Sequence, residues 1–278
     1  MTGASILHIQ NLFKHFGGVM AVNDVSFDVV EGQILALIGP NGAGKTTTFN
    51  LISGTHRPDR GEIIFRGEKI SGLRPSRVAG FGLARTFQNL QIFDNMSVIE
   101  NVMVGCHLRG KAGFLRVALR LPGVAAEEAR IREQAMEYLE RVGLPNRPND
   151  PAASLPFGQQ RLVEIARALA VQPKLLLLDE PAAGLNRTES EALNDLILRI
   201  RADGITVLLV EHDMNLVMGI ADHVVVLHYG MKIAEGTPAE VQAHPEVIRA
   251  YLGAEWEFTG LKSTRSALEN SSTEAEHA

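Results

Sequence analysis

Apolar and polar positions along the chain follow two different rhythms. Near the N-terminus, VNDVSFDVV alternates, with Val25, Phe27 and Val29 on one side, which predicts a half-buried antiparallel strand. QILALIG, KLLLLDE and ITVLLVEHD are continuous apolar runs bounded by turn or charged residues. Runs of that kind suit strands covered on both faces of a parallel sheet. Helical patterns lie between them, so the chain reads as α/β. EIIFRGEKI and HVVVLHYGMKIAEG each turn at a glycine and predict two hairpins.

The middle of the chain changes character. From Asn89 to Ser154 there is no strongly β-like run. Ser97 with Glu100 forms a capping box that opens a helix at SVIENVMVG. Ile131, Ala135, Tyr138, Leu139 and Val142 mark one face of a second helix. Between them, CHLRGKAGFLRVALRLPGV is basic and poorly periodic and reads as loop and short helix. Residues 89–158 therefore form a helical insert in an α/β domain spanning 5–253. Thr237 to Glu240 is another capping box, with Pro238 at the first helical position. PEVIRAYLG stops at Gly253, and 254–278 is a polar tail expected to be disordered.

Composition narrows the partners. The 278 residues are 45% hydrophobic, enough for one large or two smaller domains. Lys and Arg number 27 against 32 Asp and Glu, and no basic run marks a nucleic-acid footprint. The one cysteine, Cys106, excludes an internal disulfide and a cysteine-rich zinc site, and fits a reducing compartment. MTGASILHIQ lacks a charged start followed by an apolar core, so no signal peptide is expected. The longest apolar runs fall far short of the ~20 residues of a membrane helix. The expectation is a soluble cytoplasmic protein whose membrane role, if any, goes through a partner.

The strongest chemical motif is GPNGAGKT, Gly39 to Thr46, between an apolar strand and TTTFNLISG. It matches the phosphate-loop pattern G-x-x-x-x-G-K-[ST] in the strand–loop–helix context that pattern requires. Along Gly39 to Gly44, the backbone N–H groups of Gly39, Asn41, Gly42, Ala43 and Gly44 can face inward as an anion nest at a helix N-terminus, with Pro40 shaping the turn without a donor. Lys45 reaches the outer phosphates of a nucleotide, Thr46 offers a hydroxyl to Mg²⁺, and Thr47 can donate to an inner phosphate. LLLLDEP ends a buried strand, where open α/β sheets bind ligands. Asp179 is placed to hold Mg²⁺, and Glu180 to orient or deprotonate water. An acidic pair merely capping the strand is the alternative. His212 follows another buried strand, where it could sense a terminal phosphate or be a simple loop residue.

With these pieces in order, residues 5–253 resemble the ATP-binding subunits of ABC transporters. The resemblance implies a P-loop NTPase core with a mostly parallel sheet, an N-terminal antiparallel β subdomain and a helical insert subdomain. It also implies ATP and Mg²⁺ as ligands. Gln88, in LARTFQNLQIF, occupies the place of the family's glutamine that senses nucleotide and metal, and His212 that of its switch histidine. Phe16, in KHFGG, fits the aromatic that stacks on adenine, a core phenylalanine being the alternative. AAGLN, Ala182 to Asn186, fills the loop that crosses the dimer interface, with Asn186 where many members carry Asp.

The family's signature turn, Leu-Ser-Gly-Gly-Gln, aligns with Leu155, Pro156, Phe157, Gly158 and Gln159. In the family this turn faces the terminal phosphate of ATP held by a second subunit. Gly158, Gln159 and the helix N-terminus are kept, but Pro156 removes the serine hydroxyl and Phe157 replaces a glycine. The lost charge-assisted hydrogen bond is worth on the order of 1.5–3 kcal/mol. The expected partner is thus a different ABC ATPase with a fuller signature, a homodimer being the alternative.

GLARTFQNLQIFDNMSVIENVMVG, DEPAAGLN and IAEGTPAEVQAHPEVIRAYLG look like the subgroup serving importers of branched-chain amino acids and related small polar solutes such as urea. That resemblance implies two integral-membrane permeases, indirectly a solute-binding protein, and a place on the cytoplasmic face of the inner membrane. ATP binding would close two subunits and hydrolysis would let them open, with the helical insert relaying the motion and Gln88 as its hinge. Soluble ABC ATPases acting on nucleic acid or ribosomes usually carry two nucleotide domains or long coiled-coil insertions, and exporter ATPases are commonly fused to membrane helices. Neither feature is visible here. A regulatory protein that binds ATP without turnover would lack Glu180 or His212, and no guanine-reading Asn-Lys-x-Asp motif occurs.

Overall fold

A computed structural model of the chain describes residues 3–107 and 124–252. Most of the basic stretch after Cys106, the helix stop at Gly253 and the polar tail lie outside the described residues.

Two sheets share the fold. In the first, β1 (Ser5–Phe16) pairs antiparallel with β2 (Val19–Val30) on one side and β4 (Arg60–Phe65) on the other, with β5 (Glu68–Lys69) beyond. Val25, Phe27 and Val29 of β2 are buried and Asp28 is exposed, as the alternation requires. The second sheet has the order β10 (Met231–Gly236), β9 (His223–His228), β3 (Ile34–Ile38), β8 (Thr206–Val210), β7 (Leu175–Asp179), β6 (Leu83–Arg85). Its strands pair parallel except β10, which hairpins antiparallel onto β9. Every residue of β3, β7 and β8 is buried.

Both hairpin turns place two residues at positive φ, Arg66–Gly67 and Tyr229–Gly230. That backbone twist matches the right-handed twist of the flanking strands. The three-residue strand β6 is the element the hydrophobic pattern does not announce, being too short to show a period.

The large sheet is covered on both faces, and the period of two decides which residues face which layer. Leu175 and Leu177 join Leu208, Val210 and the first sheet around α1 (Lys45–Ile52), whose Phe49 and Ile52 are fully buried. Leu176, Leu178, Val207 and Leu209 face the other way. They pack with α3 (Val98–His107), α4 (Val124–Arg141), α5 (Phe157–Ala170) and α6 (Arg187–Ala202). The short helix α2 (Pro75–Gly80) lies against β6. After β8 come α7 (Met214–Ile220), the hairpin, α8 (Pro238–Gln242) and α9 (Pro245–Leu252).

The helical region is built as its sequence signals imply. Ser97 and Glu100 cap α3 reciprocally, Ser97 N–H to the carboxylate at 2.8 Å and Glu100 N–H to the hydroxyl at 3.4 Å. Ile131, Ala135, Tyr138, Leu139 and Val142 are all buried, and Thr237 and Glu240 make the second capping box. Among the described residues no helix is long and apolar enough to cross a membrane.

Register brings the sheet's functional edge together. Asp179 lies opposite Val210, and Val210 opposite Leu37, so β3, β7 and β8 end side by side. The residues just beyond them, Gly39, Glu180 and Glu211, therefore emerge along one edge.

Gly105 allows α3 to approach α5: a Cβ there would stand 2.3 Å from the Arg167 carbonyl oxygen and 2.9 Å from Ala170 Cβ. Gly105→Ala should destabilise the fold by about 1–3 kcal/mol through overpacking. Urea unfolding would show a lower midpoint at unchanged slope; an unchanged midpoint would mean the helices separate at no cost.

Candidate functional site

β3 runs straight into the phosphate-loop sequence and out into α1. Gly39 has φ +151°, and a Cβ on it would lie 2.1 Å from the Leu227 carbonyl oxygen of β9. Gly44, at φ +100°, precedes α1, and a Cβ there would lie 2.4 Å from the Ala21 carbonyl oxygen of β2. These two positions need glycine because strands of both sheets press on the loop. The turn of the β9–β10 hairpin supports it as well, Gly230 N–H donating to the Ala43 carbonyl at 3.0 Å.

Lys45 is buried inside its own loop. Its ammonium donates to the carbonyls of Gly39 at 2.7 Å and Pro40 at 3.0 Å. Burial pushes its pKa down, against the pull of the Glu180 and Asp179 carboxylates. Asn41 and Gly42 are exposed at the loop's crest, as is Thr46 in the first turn of α1; Thr47 is half-buried.

Asp179, the last residue of β7, is 1% exposed. One oxygen accepts from Arg85 Nη2 at 2.7 Å, while the other, Oδ1, is buried and has no hydrogen-bond partner. Burial pushes its pKa up and the Arg85 hydrogen bond opposes that. Arg85, from β6, also donates to Asn50 Oδ1 on α1 at 2.7 Å and to Oγ of Ser53, the residue that caps α1 at its C-terminus, at 2.8 Å, with the rings of Phe49 and Phe87 beside its guanidinium. Sequence reasoning missed Arg85. The signal was an arginine between apolar residues in LARTF, since a charge in a buried strand must be paired.

Glu180 adopts φ +47°, a conformation that costs a non-glycine residue on the order of 1 kcal/mol or more. Its amide is tied to the Val210 carbonyl at 2.8 Å. The carboxylate accepts from Gln88 Nε2 at 3.0 Å and stands 3.9 Å from His212 Nδ1. Three residues singled out from sequence, on three loops, thus meet at one oxygen. His212 itself is largely exposed.

Gln88 is held from behind by α5. Arg161, 1% exposed, donates to the carbonyls of Phe87 at 2.8 Å and Gln88 at 3.1 Å. It also pairs with Glu164 at 2.7 Å, whose second oxygen accepts the Phe87 amide at 3.2 Å. The pair, invisible to periodicity, ties the helix that Gly158 and Gln159 open to the loop that carries Gln88.

Gly158 packs against the first turn of α6. A Cβ on Gly158 would lie 2.6 Å from Glu189 Oε1, part of the capping box that Asn186 and Glu189 form. Gln159 Oε1 is buried without a partner. Phe157, 45% exposed, lies on Gly184: a Cβ there would be 3.0 Å from the ring. Phe16 is also 45% exposed, edge-on to His56 at 5.3 Å. It is therefore a surface ring rather than a core phenylalanine.

Comparisons with known proteins bear on the family and the fold. Residues 22–183 match the family model described as ABC transporter, and residues 231–257 the model described as branched-chain amino acid ATP-binding cassette transporter. The chain is 45% identical over 249 residues to the high-affinity branched-chain amino acid transport ATP-binding protein BraF of Pseudomonas aeruginosa, covering 89% of this chain and 98% of that one. It is equally similar to LivG of Salmonella typhimurium, a protein of the same description. Among solved structures, the ADP conformation of an ATP-binding cassette of an ABC transporter superposes with a TM-score of 0.78 at 34% identity, over 90% of this chain and 99% of that one.

Arg85→Met leaves the Asp179 carboxylate buried without its partner, a loss of about 3–5 kcal/mol of stability. Chemical unfolding at neutral pH checks this; a loss under about 1 kcal/mol would show the pair hydrated.

Proposed function

The chain belongs to the ABC transporter family, and we propose that it is the ATP-hydrolysing subunit of an importer for branched-chain amino acids or a related small polar solute such as urea. ATP binding and hydrolysis here would drive uptake through partner permeases. The observation that carries this reading is the meeting of Gln88, Glu180 and His212 beside the phosphate loop. The similarity to BraF and LivG over nearly their whole lengths supports the solute class.

In this reading Gly39 to Thr47 receive the phosphates on backbone N–H groups and the α1 N-terminus. Lys45 gives up its contacts with Gly39 and Pro40 to meet phosphate oxygens. Phe16 offers its exposed ring to the adenine. Glu180 orients the attacking water and accepts its proton, held by Gln88 and faced by His212. Mg²⁺ fits at Asp179 and Thr46, because Asp179 presents a buried, unpartnered oxygen. Gln88 completes that set. No group of three or more His, Cys, Asp or Glu able to hold a metal occurs among the described residues, so the nucleotide and water would supply the remaining ligands. When bound, the ion would neutralise phosphate charge.

Gly158 and Gln159 would face ATP held by a second subunit. With Pro156 and Phe157 in place of the hydroxyl and a glycine, that subunit is proposed to be a different ABC ATPase, so the two composite sites are unequal. The permeases would dock on the helical insert. A cleft of ≈ 370 Å³ beside the Gln88 loop, lined by Phe87, Gln91, Phe93, Gly105, Arg167 and Val171, is mostly apolar and suits such a contact. The subunit would thereby sit on the cytoplasmic face of the inner membrane, with a solute-binding protein acting on the far side.

Isolation of the tagged chain from gently solubilised membranes of its own cells tests the assignment. Two polytopic permeases and a second ATPase with an intact Ser-Gly-Gly signature are expected to copurify. Recovery with ribosomes or DNA, or only in the soluble fraction, would overturn it. In the same preparation Lys45→Ala should lose nucleotide binding or hydrolysis, whereas Glu180→Gln should retain ATP and lose turnover. Normal hydrolysis by Glu180→Gln would remove Glu180 from its role. Tight ATP-dependent self-association of that variant alone would argue for a homodimer.

A further inference from the structure

Glu211, between β8 and His212, is 0% exposed and has no part in the chemistry described above. One carboxylate oxygen accepts the Ala182 amide at 2.8 Å, and the other accepts the His212 amide at 3.1 Å. The Asp213 amide is directed at the same carboxylate. Ala182 lies in the loop that follows Asp179 and Glu180, so a single side chain holds backbone from two loops of the site. Burial pushes this carboxyl's pKa up, and the amides counter that by favouring the charged form.

The covalent paths around this side chain show why it matters. Glu180 is two residues from Ala182, and His212 adjoins Glu211, yet the Glu180 and His212 side chains are 3.9 Å apart with no direct hydrogen bond. The backbone on each side is anchored, and the Glu211 carboxylate itself stands 3.7 Å from His212 Nδ1. The Glu180 amide is anchored to the Val210 carbonyl, and Ala182 is anchored to Glu211. We propose that Glu211 is a positioning residue that locks the loop after the acidic strand to the His212 loop, so that Glu180 and His212 move as one unit. This deepens, and rests on, the ATPase reading above. A neutral glutamine has the same length but only one acceptor oxygen; its NH₂ would confront one of the amide donors.

The test uses the chain with its copurifying membrane proteins, in four forms: unmodified, Glu211→Gln, His212→Ala and the double variant. Glu211→Gln is expected to lower kcat about tenfold or more, toward the ~100-fold loss that a small misplacement of reacting groups can cause, with KM for ATP nearly unchanged. In the His212→Ala background the same change should cost little further, because both act through one arrangement. Hydrogen exchange of the Ala182 and His212 amides should accelerate together in Glu211→Gln. Unmodified turnover in Glu211→Gln, a full additional loss in the double variant, or exchange as slow as in the unmodified chain would each overturn the proposal. Failure of the ATPase reading would appear differently, as absent turnover in the unmodified chain, and amide exchange would then decide the role of Glu211.

Discussion

Charges at the functional edge of the large sheet are taken out of water, and the geometry of the site follows from how each one is compensated. Lys45, Asp179, Arg161, Glu164 and Glu211 are all buried. An isolated buried charge is prohibitively costly, whereas one given hydrogen bonds of good geometry is tolerated. Each of these groups therefore needs specific partners; Lys45 finds them in its own loop, whereas Asp179, Arg161, Glu164 and Glu211 also bind groups on neighbouring elements. Desolvation thus turns separate loops into one connected framework.

The framework has a definite wiring. Arg85 joins β6 and α1 to Asp179, so the phosphate-loop helix and the proposed metal carboxylate share one cation. Arg161 and Glu164 clamp the backbone at Phe87 and Gln88 to α5. Glu211 clamps Ala182 to His212. A displacement of Gln88 must then be felt at the N-terminus of α5, through contacts too short and too buried to yield one at a time. Chains of packed and hydrogen-bonded groups of this kind can carry coupling between distant sites. The chain of contacts here is made of three buried carboxylates and two arginines rather than of apolar packing.

Much of this was legible beforehand, for reasons that differ by element. The phosphate loop could be read because its chemistry demands glycine at fixed spacing, and Gly39 and Gly44 do meet backbone where any side chain would clash. β3, β7 and β8 could be read because burial on both faces leaves a run without alternation. Asp179, Glu180, Gln88 and His212 were placed by their position after strands or by resemblance. β6 was not legible, since three residues carry no period. Arg161, Glu164 and Glu211 escaped because charged residues are ordinarily solvated, whereas Arg85 had only the faint local sign of its apolar neighbours in LARTF. Their meaning depends on which strands pair, which is a tertiary fact.

The signature turn shows how a departure from a motif can preserve its shape while changing its chemistry. Pro156 precedes α5 without a side-chain cap, so the hydroxyl that would meet a phosphate is absent. Phe157 restores order in another way, lying on Gly184 with the Arg161 guanidinium 5.8 Å from its ring. The ring fastens the turn to the loop after β7 and to the cation that holds Gln88. Packing of this kind fixes a position but offers no donor to an anion. Anion binding proposed for the turn would then be left to the α5 N-terminus, whose dipole is worth about 0.3–1 kcal/mol when exposed. A partner subunit whose own turn keeps the hydroxyl would make the site it completes on this chain the stronger of the two. On that basis, this chain's Lys45, Glu180 and His212 would carry the more tightly closed nucleotide.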